Sequence, residues 1–536
     1  MNRRKYLKAM SGTAAIGATD KVFADRKYPS SLTGHKLPHI VIFNPDQFRA
    51  RALGHLGNPA AVTPNLDDMA LTDGVSFSRA FCQNPVCTPS RCSFLTGWYP
   101  HVRGHRTMHH MLHKDEPMLL KTLKNKGYNV WWGGKNDVVP GQDPELIKEY
   151  CSVKYTPGPD KKIRTNLHLD LSWRAPKGTD HYYSFYAGKL DKKGDVVYND
   201  SDLDNVTEAV RLIENAPDDR PLCIYLPLQY PHPPYGVEEP YYSIINRGKI
   251  PKRIPVPDDW KGKPGILKSI LKNQNLQNLS ESEWTELRAV YHGMCSRIDD
   301  QFGMVVNALK KKGLYNDTAV FFFSDHGDFT GDYGLVEKTQ NTFEDLLTNV
   351  PFIIKPPSWV PVKAGTCDAL VELVDFPATV EALTGFEPEH THFGRSLLPL
   401  VSGETKRHRD AVFCEGGQLH GEEHVGEIGT PNSWNQEGLY WPRVSLQKSD
   451  TPEATKAVIC RTERFKYVMR LYEQDEFYDL RTDSQELHNR IEASKYRKEI
   501  AEMKERLLMH YLETSDVVPH KRDLRWPGET ITKPEE

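Results

Sequence analysis

Ala319-Val320-Phe321-Phe322-Phe323-Ser324-Asp325-His326-Gly327-Asp328 joins a wholly apolar run to residues that bind metal ions and move protons. An uninterrupted apolar run of this kind fits a strand covered on both faces, as in a parallel sheet. The polar residues then fall just past the strand's carboxyl end, where open α/β sheets bind their ligands. Three other stretches repeat the pattern. Ile40 to Phe43 leads to Asp46-Gln47, Tyr128 to Trp132 leads to Gly133-Gly134-Lys135-Asn136-Asp137, and Leu222 to Leu228 leads to Pro231-His232-Pro233-Pro234. Longer amphipathic stretches separate these runs. The expected fold is therefore α/β, with a large, mostly parallel sheet flanked by helices and the four polar clusters meeting at one rim.

A fifth stretch, Cys87-Thr88-Pro89-Ser90-Arg91-Cys92-Ser93-Phe94-Leu95-Thr96-Gly97, reads as the start of a helix. Proline is favoured in the first helical turn, which puts Cys87 at or just before the N-terminus. Unpaired N–H groups there favour an anion, and Arg91 follows one turn later. Asp46, Gln47, Asp325 and His326 together offer two carboxylates, an amide oxygen and an imidazole. Oxygen-rich donors favour a hard divalent cation, and the imidazole makes manganese or magnesium credible.

The Cys-x-Pro-Ser-Arg string and the residues after it resemble the signature of type I sulfatases, members of the alkaline phosphatase superfamily. Phe477-Tyr478-Asp479-Leu480 and Glu486-Leu487-His488-Asn489 resemble that family's C-terminal segment, so the likeness runs from Pro38 to about Asn489. It implies an alkaline-phosphatase-like sandwich and hydrolysis of a sulfate ester to an alcohol and inorganic sulfate. It implies that Cys87 is converted by a formylglycine-generating enzyme to Cα-formylglycine. The hydrated aldehyde attacks sulfur through one hydroxyl and expels sulfate through the other, which a thiolate cannot do. It implies one cation, usually calcium, held by Asp46, Gln47, Asp325, His326 and the side chain at position 87.

By the same resemblance, Arg91 holds the formylglycine oxygens, Lys135 and Lys338 grip sulfate, and His232 contacts the ester oxygen. Either His232 or Lys338 suits protonation of the leaving alcohol. The chain departs from the common pattern at three places. Gln47 stands where many sulfatases have aspartate, His326 where they have asparagine, and Asp137 where they have a histidine. Asp137 either accepts a proton from the second hydroxyl or orients Lys135. Asp-Gln and Asp-His-Gly also occur in phosphonate monoester and phosphodiester hydrolases of the same fold, which form the alternative reading. A catalytically silent sulfoglycan-binding protein would have lost a nucleophile or a ligand, and here the set is complete.

The chain has 536 residues and a formal net charge of −3, with no electrostatic footprint of a nucleic-acid binder and no apolar run long enough for a membrane span. Asn2-Arg3-Arg4-Lys5-Tyr6-Leu7-Lys8 resembles a twin-arginine export motif, followed by a mild apolar stretch and a cleavage pattern at Val22-Phe23-Ala24. The expected organisation is a leader over 1–24, a catalytic domain over 25–403 and a C-terminal subdomain over 404–536. The protein is expected to be exported, periplasmic or extracellular, and to degrade a sulfated saccharide. Nine cysteines show no C-x-x-C pair, which argues against a zinc site. Residues Pro240–Leu279, polar and proline-rich, read as an insertion or lid. A helix is expected from about Ser282 to Leu309. Lys456–Leu471 and Glu476–Leu480 read as strands of a smaller C-terminal antiparallel sheet, with Ile500, Met503, Leu507, Leu508 and Tyr511 on one helical face packed against it. Arg49, Arg51, Arg103, His105, Arg106, His109, His110 and His113 flank the motifs as candidate substrate contacts or solvated loop residues.

Overall fold

The four apolar runs form the middle of an eight-stranded sheet in a computed structural model of the chain. The strands are β1 (His39–Pro45), β2 (Val75–Phe77), β3 (Asn129–Gly133), β4 (Val153–Tyr155), β5 (Leu222–Leu228), β6 (Thr318–Phe323), β7 (Phe352–Lys355) and β8 (Gly365–Cys367). Their order is β8-β2-β7-β6-β1-β5-β3-β4. Strands β6, β1, β5, β3 and β4 run parallel, and only β7 is antiparallel to its two neighbours. The structure describes residues 36–528 apart from 142, 158–166, 168–170, 191–199, 218, 428–434, 448–450 and 521. The proposed leader lies outside the described residues.

Every residue of β1, β5 and β6 is buried, which is why these strands read as unbroken apolar runs rather than alternating ones. One covering helix, α5 (Glu281–Lys312), is longer than the Ser282–Leu309 expectation. Its start is set by a capping box between Ser280 and Glu283, and its end by Gly313 in the left-handed conformation. It also holds α1 (Pro64–Thr72) in place, because the buried Asp299 carboxylate accepts from the N–H groups of Asn65 and Leu66 at 3.1 and 2.8 Å.

After residue 404 the chain forms β9 (Val412–Gly416), β10 (Ala457–Arg461), β11 (Phe465–Arg470) and β12 (Glu476–Asp479), an antiparallel sheet in that order. The expected strand over Lys456–Leu471 is thus a hairpin of two. Helix α7 (Arg497–Thr514) packs Ile500, Met503 and Leu507 against Cys460, Tyr467 and Phe477. Leu508 does not join them. It is 61% exposed, because it lies one position round the helix from Leu507.

The lid expectation for Pro240–Leu279 is corrected. Helix α4 (Gly265–Gln274) buries Ile266, Leu267, Ile270 and Leu271 in a cluster with Phe329, Tyr333, Leu335 and Leu347. Just before it, the buried Lys263 ammonium meets Glu344 at 2.9 Å and Glu476 at 3.6 Å, joining this segment to the C-terminal sheet. The prolines shape the approach to α4, and the apolar residues at helical spacing decide its burial. Leu267→Ala should therefore lower unfolding stability by about 2–5 kcal/mol in urea denaturation. A movable lid would lose almost nothing.

Candidate active site

Helix α2 (Cys87–Thr96) begins at Cys87, against the carboxyl ends of β1 and β6. Those two ends are stitched together by their polar residues. Asn44 Nδ2 donates to the Phe323 carbonyl at 2.8 Å, and the Ser324 hydroxyl donates to the Pro45 carbonyl at 3.0 Å. Ser90 Oγ donates to the Asp325 carbonyl at 2.6 Å and fixes the helix to the β6 end. The Arg91 guanidinium is fully buried between them. Its Nη1 donates to Asn44 Oδ1 at 2.7 Å, while Nη2 lies 3.2 Å from Asp46 Oδ2 and 2.9 Å from Asp325 Oδ2.

Asp46, Cys87, Asp325 and His326 place one potential ligand atom each within 4.8 Å of one another, all buried. His326 Nδ1 donates to the Gly327 carbonyl at 2.9 Å. That bond leaves the Nε2 lone pair facing Cys87 Sγ at 3.2 Å, Asp46 Oδ1 at 3.6 Å and Asp325 Oδ2 at 3.9 Å. An imidazole fixed through its other nitrogen is the usual arrangement for a metal ligand. Asp46 divides its oxygens: Oδ2 meets Arg91 and Lys135, and Oδ1 faces His326. Asp325 Oδ2 makes no aligned hydrogen bond and is compensated by the Arg91 charge at 2.9 Å, which leaves it lone-pair capacity for a cation. These donors fit a divalent cation.

Gln47 adopts φ 67°, which is unfavourable for a residue with a side chain. Its N–H donates to Asp325 Oδ1 at 3.1 Å, and its carbonyl accepts from Tyr291 at 2.9 Å. The side-chain nitrogen is held by Asp328, and Oε1 accepts from Lys338 Nζ at 2.8 Å. The amide is thereby fixed with its oxygen toward Lys338 and its nitrogen toward Asp328.

Lys135 follows the Gly133-Gly134 turn after β3. Its ammonium contacts Asp46 and lies 2.8 Å from Asp137 and 3.8 Å from Cys87 Sγ. Lys338 Nζ lies 3.0 Å from His232 Nε2. His232 Nδ1 meets the Pro233 carbonyl at 2.6 Å, so it carries the proton and Nε2 accepts from the lysine. The loop bearing His232 is anchored by Asp202, which accepts from the N–H groups of Gln229 and Tyr230 at 2.9 and 2.8 Å.

Electrostatics follow this geometry. Burial alone would raise the Asp46 carboxyl, but the charges of Lys135, Arg91 and Lys338 outweigh it and hold the group well below the usual range. Burial, with Asp46 adding to it, pushes the Cys87 thiol up, away from the thiolate form. Burial lowers His326 and favours the neutral imidazole.

The structure brings together every sequence-predicted site residue: Asp46, Gln47, Cys87, Arg91, Lys135, Asp137, His232, Asp325, His326 and Lys338. The flanking basic residues are mostly engaged elsewhere. Arg49 pairs with Asp332 at 2.6 Å, His105 with Glu116 at 3.0 Å and Arg106 with Glu422 at 2.6 Å. Among the described residues His109, His110 and His113 form no metal-holding group. Sequence reasoning missed Asn44, Asp328 and Tyr440, whose ring centre lies 6.4 Å from that of His232. Asp328 lies inside a quoted motif without a role assigned to it, Asn44 lies beside one, and Tyr440 arrives from a distant part of the chain.

The profile of the Sulfatase family matches residues 38–386. The chain belongs to the sulfatase family. It is a sulfuric ester hydrolase on the alkaline-phosphatase-like fold. This sulfatase is 25% identical over 495 residues to the multifunctional alkaline phosphatase superfamily protein PehA of Trinickia caryophylli, covering 84% of the chain and 90% of the relative. It is 27% identical over 365 residues to the ulvan-active sulfatase of Formosa agariphila, covering 68% of the chain and 65% of that protein. Its fold matches the phosphonate monoester hydrolase of Agrobacterium radiobacter with a TM-score of 0.67 at 21% identity, over 89% of the chain and 96% of the other.

Gly134 has φ 115°, and a Cβ there would stand 2.3 Å from the Pro227 carbonyl oxygen. Gly134→Ala should displace Lys135 and lower kcat/KM for an aryl sulfate on the order of 100-fold. Circular dichroism should show the sheet and helices intact.

Proposed function

We propose that this sulfatase removes sulfate from a sulfated glycan or saccharide, with Cys87 in its formylglycine form as the nucleophile. The observation that carries the reading is the convergence of Asp46, Cys87, Asp325 and His326 on one buried point at the helix start. Asp46, Gln47, Asp325, His326 and the side chain at position 87 would hold a divalent cation, calcium by family resemblance, which supplies positive charge to the sulfate oxygens when bound. The hydrated aldehyde would supply the two hydroxyls on one carbon that attack and release require.

The chain's own groups divide the remaining work. Arg91 holds Asp46 and Asp325 in place and adds fixed positive charge behind them. Lys135, 3.8 Å from Cys87 Sγ, and Lys338, held by Gln47 and His232, are suited to grip sulfate oxygens as charge builds on them. Asp137, 2.8 Å from the Lys135 ammonium, orients that lysine. Lys338 donates to His232 Nε2, so the pair can deliver a proton to the leaving alcohol oxygen and share the charge left behind.

The same reading assigns 1–24 to an export leader, 25–403 to the catalytic domain and 404–536 to the C-terminal subdomain. It includes modification by a formylglycine-generating enzyme and action outside the cytoplasm. The twin-arginine pattern near the start supports export, and no helix among the described residues is long and apolar enough to cross a membrane. The Asp46-Gln47 and Asp325-His326 pairs also suit a phosphonate monoester hydrolase, as does the named activity of the structural relative.

Protein made in a host able to modify it should show the mass of formylglycine in the peptide containing position 87. Cys87→Ala should abolish turnover of 4-nitrophenyl sulfate, and wild type should prefer that ester to the phenylphosphonate. Full activity with an intact thiol would overturn the assignment. Asp325→Asn should lose bound divalent metal on dialysis, read by elemental analysis, and reduce activity by a factor of about 1000 or more.

A further inference from the structure

The Lys338 ammonium has three N–H donors to place. Gln47 Oε1 takes one at 2.8 Å and His232 Nε2 another at 3.0 Å. Glu337 Oε1 lies 3.1 Å from the same nitrogen, yet it makes no aligned hydrogen bond. The carboxylate therefore balances the charge of the lysine without consuming its third N–H. Glu337 and Lys338 are both buried, where an unbalanced charge would be costly.

The orientation of that carboxylate is set from beyond residue 404. Glu337 Oε2 accepts from Arg443 Nε at 3.2 Å, which turns Oε1 toward the lysine. Arg443 is itself clamped by Glu427 through Nη1 and Nη2, the second at 3.1 Å, and Gln447 Nε2 donates to Glu427 at 2.9 Å. Charges thus alternate along a line of Glu427, Arg443, Glu337 and Lys338. Arg443 lies in the short helix Trp441–Val444, directly after Tyr440, whose ring stands beside His232. One segment of the chain backs both members of the Lys338–His232 pair.

The backbone at Glu337 is in an unfavourable conformation. Its φ is 71°, a left-handed value that glycine adopts freely and that penalises a residue with a Cβ. Two hydrogen bonds hold it there. Its N–H donates to the Tyr235 hydroxyl at 3.1 Å, and its carbonyl accepts from the Phe329 N–H at 3.0 Å. A charged side chain kept where glycine would fit better points to a use for that side chain.

We propose that Glu337 is a positioning residue for Lys338, and that Arg443, acting through Glu337, keeps the third N–H of the lysine available to the leaving alcohol oxygen. The proposal rests on the sulfatase reading above, in which Lys338 and His232 serve that oxygen. Without Arg443, the Glu337 carboxylate is released to turn onto Lys338 and accept its third N–H. With Glu337 made neutral, the ammonium loses the charge that holds it between Gln47 and His232. The residues after 404 then belong to the catalytic apparatus, although none of them touches the nucleophile in this role.

The test measures kcat/KM of wild type, Glu337→Gln, Arg443→Met and the double variant on phenyl sulfate and 4-nitrophenyl sulfate. Phenol is the weaker acid of the two leaving groups, so its departure depends more on proton delivery. Each single variant should lower the ratio of phenyl to nitrophenyl kcat/KM by about 10-fold. The double variant should lower it no further than the stronger single one, because both changes act on one contact. The ratio does not depend on how much folded enzyme a preparation contains. Arg443→Lys, which keeps the charge and loses the fork, stands in if the methionine variant does not fold. An unchanged ratio in either single variant, or effects that multiply in the double variant, overturns the proposal and leaves the sulfatase reading intact. Failure of wild type on both esters overturns both.

Discussion

The buried Arg91 guanidinium ties the helix that carries Cys87 to the ends of the two central strands. Removing such a charge from water costs several kcal/mol unless it is fully paired. Asn44, Asp46 and Asp325 pair it here, from three chain positions that are brought together only when β1 and β6 lie side by side. The charge thus penalises any arrangement in which the helix start and the strand ends are out of register. Arg91 therefore acts first as a geometric constraint on the site and second as part of its chemistry.

Around that constraint the site is a balance of opposite charges in a region of low dielectric. Asp46 and Asp325 face Arg91, Asp46 also meets Lys135, and Lys338 joins Gln47 to His232. Two carboxylates without the basic groups would be protonated or pushed apart. The basic groups without the carboxylates would repel one another. The balance still leaves Asp46 Oδ1, Asp325 Oδ2 and His326 Nε2 pointing at a common space, which is the property a cation site requires. Unfavourable backbone at Gln47 fits this picture, since the surrounding hydrogen bonds hold a residue whose side chain must point inward.

Much of this was legible in the order of residues. A wholly apolar run ending abruptly in Asp-His-Gly-Asp or Asn-Pro-Asp-Gln marks a buried strand and its functional end, because both faces of a central parallel strand exclude water. The helix at Cys87 was legible from proline near its start. Leu508 and the Pro240–Leu279 segment were misread for a shared reason. Periodicity shows which residues can share a face, but not how far the neighbouring element reaches across that face. Prolines likewise mark irregular backbone without saying whether a buried helix follows. Tyr440 was out of reach, since its placement beside His232 depends on how the residues after 404 pack against the catalytic sheet.

The sequence by itself determined the alternation of strands and helices, the chemical groups at each strand end and the helix start at Cys87. Local sterics, solvation and capping decide those features within a few residues. Only the tertiary structure decided which oxygen of Asp46 meets a cation-bearing side chain, which nitrogen of His326 faces Cys87, and which lysine reaches the Gln47 amide. Those are properties of distances between residues as much as 291 positions apart, as for Gln47 and Lys338. They are set when the packed sheet fixes side chains that the chain order leaves independent.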